Sequence, residues 1–343
     1  MRLSFAAVAL IAAALSASTG IALAKSPTLE KIEARGNLLC PGHVGSHLGF
    51  AEVDAKGRWK GFDIGLCKAL TTAIFGTDEK LEIVPLSWAQ RFPALQSEQV
   101  DVIIKLTGWT MSRDTKVGLQ FSRPYLLGTT QMMVPKSLKI KSGLELDGAS
   151  ICTVGGSTNE RFVATYFNAN KLKHELITFE KYEEMNAAYF SGRCDVFVAW
   201  GPSLAVARAG SKNPDDHMIL PDILAMEPES AAMRQGDEAW VDLVNWMFSA
   251  LLTAELEGVT RANVDAMKAD PPTVVVSRLL GVTPGIGERL GLRETWAYDM
   301  IKAHGNYGEI FDREIGKNSP YGLSRGLNAL FKDGGALYPL VLD

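Results

Sequence analysis

Residues 149–170 read ASICTVGGSTNERFVATYFNAN, and their reading decides the fold. ASICTV is apolar and β-branched and predicts a strand. Two glycines break it, and GSTNERFVATYFNAN follows with helical character. Ser157 and Glu160 fit the S-x-x-E signal of a helix start. A strand that turns at glycine straight into a helix is the unit of a parallel α/β sheet.

The alternation continues outward on both sides. Downstream come ELITFE (175–180) as strand, YEEMNAAYFSGR (182–193) as helix, CDVFVAW (194–200) as strand and SLAVARAG (203–210) as helix, with HMILPDIL (217–224) as strand or loop. Upstream, GNLLCPGHV reads as a first strand. GFDIGLCKALTTAIFG follows with Phe62, Leu66, Leu70, Ala73 and Ile74 at helical spacing, closed by Gly76. LEIVPL (81–86) is a strand, WAQRFPALQSEQ a short helix carrying Pro93, and VDVIIKL (100–106) a buried strand. Two successive α/β units predict two lobes of similar build. From about residue 233 the character becomes helical, and 286–343 reads as helices with loops rich in Gly and aromatics.

The chain opens with Arg2, an apolar stretch FAAVALIAAALSAS and ALA at 22–24, the order of an export signal cleaved before Lys25. The residue directly after that site is Lys25 and not a cysteine, which argues against lipid anchoring, so a free periplasmic product is expected. The 343 residues carry 35 Lys+Arg against 39 Asp+Glu, and loss of the leader removes only Arg2. That mildly acidic balance offers no electrostatic case for nucleic acid. The four cysteines Cys40, Cys67, Cys152 and Cys194 suggest two disulfides in an oxidising compartment. Three connectivities are open; the sequence-local one, Cys40–Cys67 with Cys152–Cys194, puts a staple in each half. Their spacings fit no zinc pattern, so no metal or cofactor is expected.

Two segments carry binding chemistry. GGSTNE (155–160) opens a helix, whose free N–H groups and positive dipole end suit a carboxylate or phosphate; it lacks the lysine of a P-loop. TGWTMSRDT (107–115) follows a strand with Arg113, which can grip a carboxylate through two parallel hydrogen bonds. An Arg113–Asp114 surface pair is the plain alternative. GxSxG and HExxH are absent, His43 and His47 read as structural, and Glu183–Glu184 as a solvated helix face.

Together GRWKGFDIGLCKAL, RFPALQSEQVDV, GWTMSRDT, FSRPY, GRCDV, MRQGD and NYGEIFDREIG closely resemble the periplasmic substrate-binding subunits of polar amino-acid ABC transporters, in the general L-amino-acid branch. The resemblance covers the mature chain. It implies a two-lobed type II periplasmic binding protein with two hinge crossovers and a helical C-terminal extension. The crossovers would fall near 129–135 and 227–233, with lobe one at 25–130 plus 233–343 and lobe two at 131–232. It further implies a monomer that serves an inner-membrane permease and its ATPase, without catalysis. Arg113, with Ser157 and Thr158 at the helix start, would hold the ligand's carboxylate, and Thr107, Gly108, Trp109 and Thr110 would lie beside them. A periplasmic enzyme of the same fold, such as a cyclic-acid dehydratase, is the second reading.

The chain departs from the family where the strand after GRCDV ordinarily ends on an aspartate for the ligand's ammonium. Trp200 stands there, preceded by Val198 and Ala199, while Leu106 and Gly108 replace two polar positions before Arg113. A buried ammonium without a partner costs several kcal/mol. The expected ligand is therefore a carboxylate without a free α-amino group or with a substituted nitrogen, against Trp200. The competing expectation is that Trp200 points away and another acid, such as Glu229, supplies the charge.

Overall fold

The computed structural model describes residues 26–343; the leader read at 1–24 lies outside the described residues. The first helix, α1 (Pro27–Arg35), is capped by Ser26, whose hydroxyl oxygen accepts from Leu29 N–H. β1 (Leu38–His43) and β4 (Leu81–Leu86) pair in parallel, and the short β2 (Glu52–Val53) and β3 (Trp59–Lys60) form a separate antiparallel ribbon. Between them α2 (Phe62–Phe75) ends on Gly76, whose φ of 78° is the left-handed cap the sequence called for. Cys40 of β1 and Cys67 of α2 are joined by a disulfide.

After the short helices α3 (Arg91–Gln96) and α4 (Met111–Thr115) comes β5 (Leu119–Pro135), a strand of 17 residues. Then follow β6 (Ala149–Val154), α5 (Thr158–Ala169), β7 (His174–Phe179), α6 (Tyr182–Phe190), β8 (Val196–Trp200), α7 (Gly201–Ala209), β9 (His217–Ile219) and β10 (Ala225–Arg234). Their sheet runs in the order β10-β5-β8-β6-β7, with β9 also on β5. β6 pairs in parallel with β7 and β8, as strand–helix alternation requires. A second disulfide joins Cys152 of β6 to Cys194 just before β8. Closing these loops contributes about 3–4 kcal/mol each in a chain-entropy picture.

β5 and β10 lie antiparallel from Leu119↔Arg234 to Thr130↔Ala225, and from Thr130 onward β5 also pairs with β8. β5 thus changes partner at Thr130. These two strands are the connection between the halves.

Two sequence expectations need correction. Residues 100–106 are buried but form no regular strand. Ile103 makes a single bridge to Ala232, and the Asp101 carboxylate takes the Leu39 N–H that a ladder neighbour would use. The Ser157/Glu160 box also does not close. Ser157 Oγ donates back to the Val154 carbonyl at 2.6 Å, while Glu160 accepts from Gly156 N–H.

The helical remainder is α8 (Glu238–Leu256), α9 (Val264–Ala269), α10 (Val274–Leu279), α11 (Ile286–Arg289), α12 (Trp296–His304) and α13 (Tyr307–Glu314). Asp237 caps α8 at Trp240 N–H and accepts from Ser26 Oγ and Thr28 N–H, tying α1 to α8. Phe62, Tyr125, Phe248, Tyr307 and Phe311 are buried together where α2, α8 and α13 meet. Each such phenylalanine contributes roughly 1.5–3 kcal/mol. The tail also reaches the connecting strand, since Asn328 Oδ1 accepts from Leu127 N–H and its Nδ2 donates to the Leu127 carbonyl.

Candidate functional site

A narrow cleft, with a cavity of about 30 Å³, is floored by Glu227 and Glu229 of β10. One wall comes from the loop after β1, the start of α3 and the 106–113 loop. The other is the first turn of α5, the end of β8 and the starts of α6 and α7.

The first wall is cationic. Leu106, at φ 36°, is held in its tight turn by donation of its N–H to the Tyr125 hydroxyl, and the chain then swings into α4. Thr110 caps that helix by accepting from Arg113 N–H. Arg113 is buried, and its Nη1 donates to the Gly108 carbonyl at 2.6 Å. A Cβ at Gly108 would stand 2.8 Å from Glu227 Oε1 and force that carboxylate to shift. Arg91, fully buried at the start of α3, donates to the Trp88 carbonyl and lies over the rings of Trp88 and Phe92. Burial and the neighbouring Arg113 charge both oppose ionisation of Arg91. A guanidinium stays protonated through such pressure, and Glu227 and Glu229 act on both arginines through space without a direct ion pair among the described residues.

The second wall is neutral. β8 delivers the chain to Trp200, a strand end, where open α/β sheets place ligands. Trp200 is buried and its Nε1 has no partner. Its indole lies across the connecting strand at Gly128, where a Cβ would come within 2.3 Å of the ring. Ser157 and Thr158, at the first turn of α5, also line the cleft.

The floor is anionic. Glu227 and Glu229 are two apart on β10 and so share a face, and the strand bulges directly after Glu229. Both are 3% exposed. Thr130 Oγ1 donates to Glu227 Oε2 at 2.8 Å, while Glu227 Oε1 and Glu229 Oε2 have no partner. Burial, then the Glu227 charge, pushes the Glu229 carboxyl well up, against the pull of Arg113.

The cleft is closed. Ser46 N–H donates to Glu183 across it, Arg161 donates to Ser112, and His47 stacks on Tyr182 at 3.8 Å with its Nε2 3.1 Å from Ser203 Oγ. Burial holds His43 and His47 well below their ordinary pKa, so both are neutral packing groups.

Of the residues singled out from sequence, Arg113, Ser157, Thr158 and Trp200 converge on the cleft. Gly108 stands behind Arg113. Thr107, Trp109 and Thr110 are not among the lining residues. Thr107 Oγ1 is turned to the Lys105 carbonyl, Thr110 is a cap, and Trp109 is 42% exposed, stacked on Phe121. The Arg113–Asp114 pair does not form; Asp114 accepts from Trp109 Nε1 instead. Glu183 is not simply a solvated face, since it accepts from Ser46.

The two sequence alternatives placed either Trp200 or Glu229 at the ligand; Trp200 and Glu229 both line the cleft, with Glu227 beside them. Arg91 was missed. Its signal was an arginine at the spacing of Ala94 and Leu95, on the buried side of a short helix after a strand.

The sequence matches the family described as bacterial extracellular solute-binding proteins, family 3, over residues 42–258. It is 44% identical over 334 residues to the general L-amino acid-binding periplasmic protein AapJ of Rhizobium johnstonii, spanning 96% of this chain and 97% of the relative. The glutamate/glutamine/aspartate/asparagine-binding protein BztA of Rhodobacter capsulatus is 39% identical over 335 residues, at 98% and 96% coverage. A solved periplasmic binding protein of an ABC transporter from Brucella ovis, with glutathione bound, superposes with a TM-score of 0.87 at 46% identity. That match covers 91% of this chain and 98% of the other.

Proposed function

The chain belongs to family 3 of the bacterial extracellular solute-binding proteins, and we propose from that premise that it captures a small carboxylate-bearing solute, an amino acid or amino-acid derivative, for an ABC importer. Its fold is the two-lobed type II periplasmic binding-protein fold that the sequence resemblance implied. In this reading residues 1–24 export the chain to the periplasm. Lobe one is 25–130 plus 233–343, lobe two is 131–232, and the closed pair is handed to an inner-membrane permease with its ATPase.

The observation that carries the reading is the pair of buried arginines with spare donors facing the start of α5. Arg113 and Arg91 grip the carboxylate from lobe one. The free N–H groups of Ser157, Thr158 and Asn159 meet it from lobe two on closure. The solute leaves unchanged, as the relatives named for binding suggest; a dehydratase of the same fold stays the second reading.

The test is calorimetry with the mature protein against amino acids, glutathione and matching amides in which the carboxylate is blocked. Carboxylates should bind and be recovered intact by NMR. Arg113→Ala should weaken them about 100-fold or more. Equal binding of the amides, or loss of bound solute by turnover, would overturn the assignment.

A further inference from the structure

We infer that Glu227 and Glu229, side by side on the connecting strand β10, form a cation subsite that takes the primary ammonium of the bound solute. This rests on the reading of the cleft as a carboxylate site and adds its second pole.

A carboxylate taken out of water needs hydrogen-bond donors or a cation, or it stays protonated. Among the described residues Glu229 accepts no hydrogen bond, Glu227 accepts only that of Thr130, and neither has an ion-pair partner. Two acids set two apart on one strand face repel each other, so each alone would be better replaced by a neutral residue. A cation between them removes both problems at once. Arg91 and Arg113 supply it only in part, since both pull on Glu229 through space but form no direct ion pair with it among the described residues. Arg113 spends a donor on the Gly108 carbonyl and forms no ion pair with either acid. Gly108 is what lets Glu227 and the Arg113 loop approach so closely.

The chemistry selects among cations. No group of three or more His, Cys, Asp or Glu able to hold a metal is found among the described residues. A primary ammonium brings three N–H donors, matching carboxylate oxygens that lack them. A quaternary nitrogen brings none and would leave the same oxygens unsatisfied. The cleft thus has a positive pole at Arg91 and Arg113 and a negative pole on the strand between the lobes, the complement of a zwitterion. Trp200 takes the β8 position as an apolar wall, while the amine's counter-charge has moved one strand away.

The experiment compares L-glutamate with glutarate, and glutathione with N-acetylglutathione, on the wild-type mature protein by calorimetry. It then repeats the amine-bearing pair on Glu229→Gln and on Glu227→Gln with Glu229→Gln, with thermal melts to confirm folding. The wild type should prefer an amine-bearing form by about 100-fold or more, and the double variant should lose that preference while still binding glutarate or N-acetylglutathione. Equal wild-type affinity for amine and blocked amine would overturn the subsite without any variant being needed. So would wild-type affinity in a folded double variant. If no carboxylate binds the wild type, the carboxylate reading falls and the subsite falls with it.

Discussion

The two walls of the cleft are built on opposite principles. The wall from α3 and the 106–113 loop buries full charges, Arg91 and Arg113. The wall from α5, α6 and β8 offers backbone dipoles, hydroxyls and the rings of Tyr182 and Trp200. Charges that must be desolvated are best held in a rigid setting; each half carries one disulfide, and the first wall has in addition the α8–α13 helices behind it. Dipoles at a helix start need no such bracing and lose little when the cleft opens. In the proposed reading the first wall selects the solute and the second closes over it.

The largest effect that could break this contrast is on Arg91. Arg91→Met keeps the apolar stem that packs on Phe92 and should cost about 100-fold or more in solute affinity by calorimetry, with a modest shift in melting temperature. Unchanged affinity would show that the first wall does not carry the grip.

The next effect concerns acid. His304, on α12 behind that wall, bonds Thr72 Oγ1, and burial lowers its pKa to about 4 from an ordinary 6.5. The unfolded chain therefore binds a proton that the folded chain refuses. Stability from this group is complete above pH 6.5 and falls as pH drops toward 4, by about 1.4 kcal/mol per unit and about 3 kcal/mol in all. His43 and His47 on the same side are shifted in the same direction. Urea midpoints between pH 7 and 4.5 should fall steeply for the wild type and less steeply for His304→Gln. Identical slopes would remove His304 from the account.

The smallest effect should come from the second wall. The Ser157 hydroxyl is spent on the Val154 carbonyl, which in the proposed reading leaves its backbone N–H for the solute. Ser157→Ala should change affinity by less than about fivefold, the equivalent of a single neutral hydrogen bond. A loss comparable with that at Arg91 would make the two walls equals.

The sequence by itself determined the α/β alternation, the helix ends at Gly76 and near Gly155–Ser157 and the helical C-terminal portion, and it singled out Arg113 and the α5 start, which the fold brings to one cleft. These follow from local periodicity, glycine chemistry and charge, which short windows contain. It did not determine that 100–106 would lack a ladder, since that depends on an Asp101 carboxylate meeting Leu39, 62 residues away. Nor could it show that Trp109 turns outward or that Arg91 turns inward. The disposition of Glu227, Glu229 and Trp200 was decided only by tertiary structure. Which face of β10 meets the cleft is set by its register and bulge against β5, and Trp200 fits only because Gly128 on that partner strand leaves room for the ring.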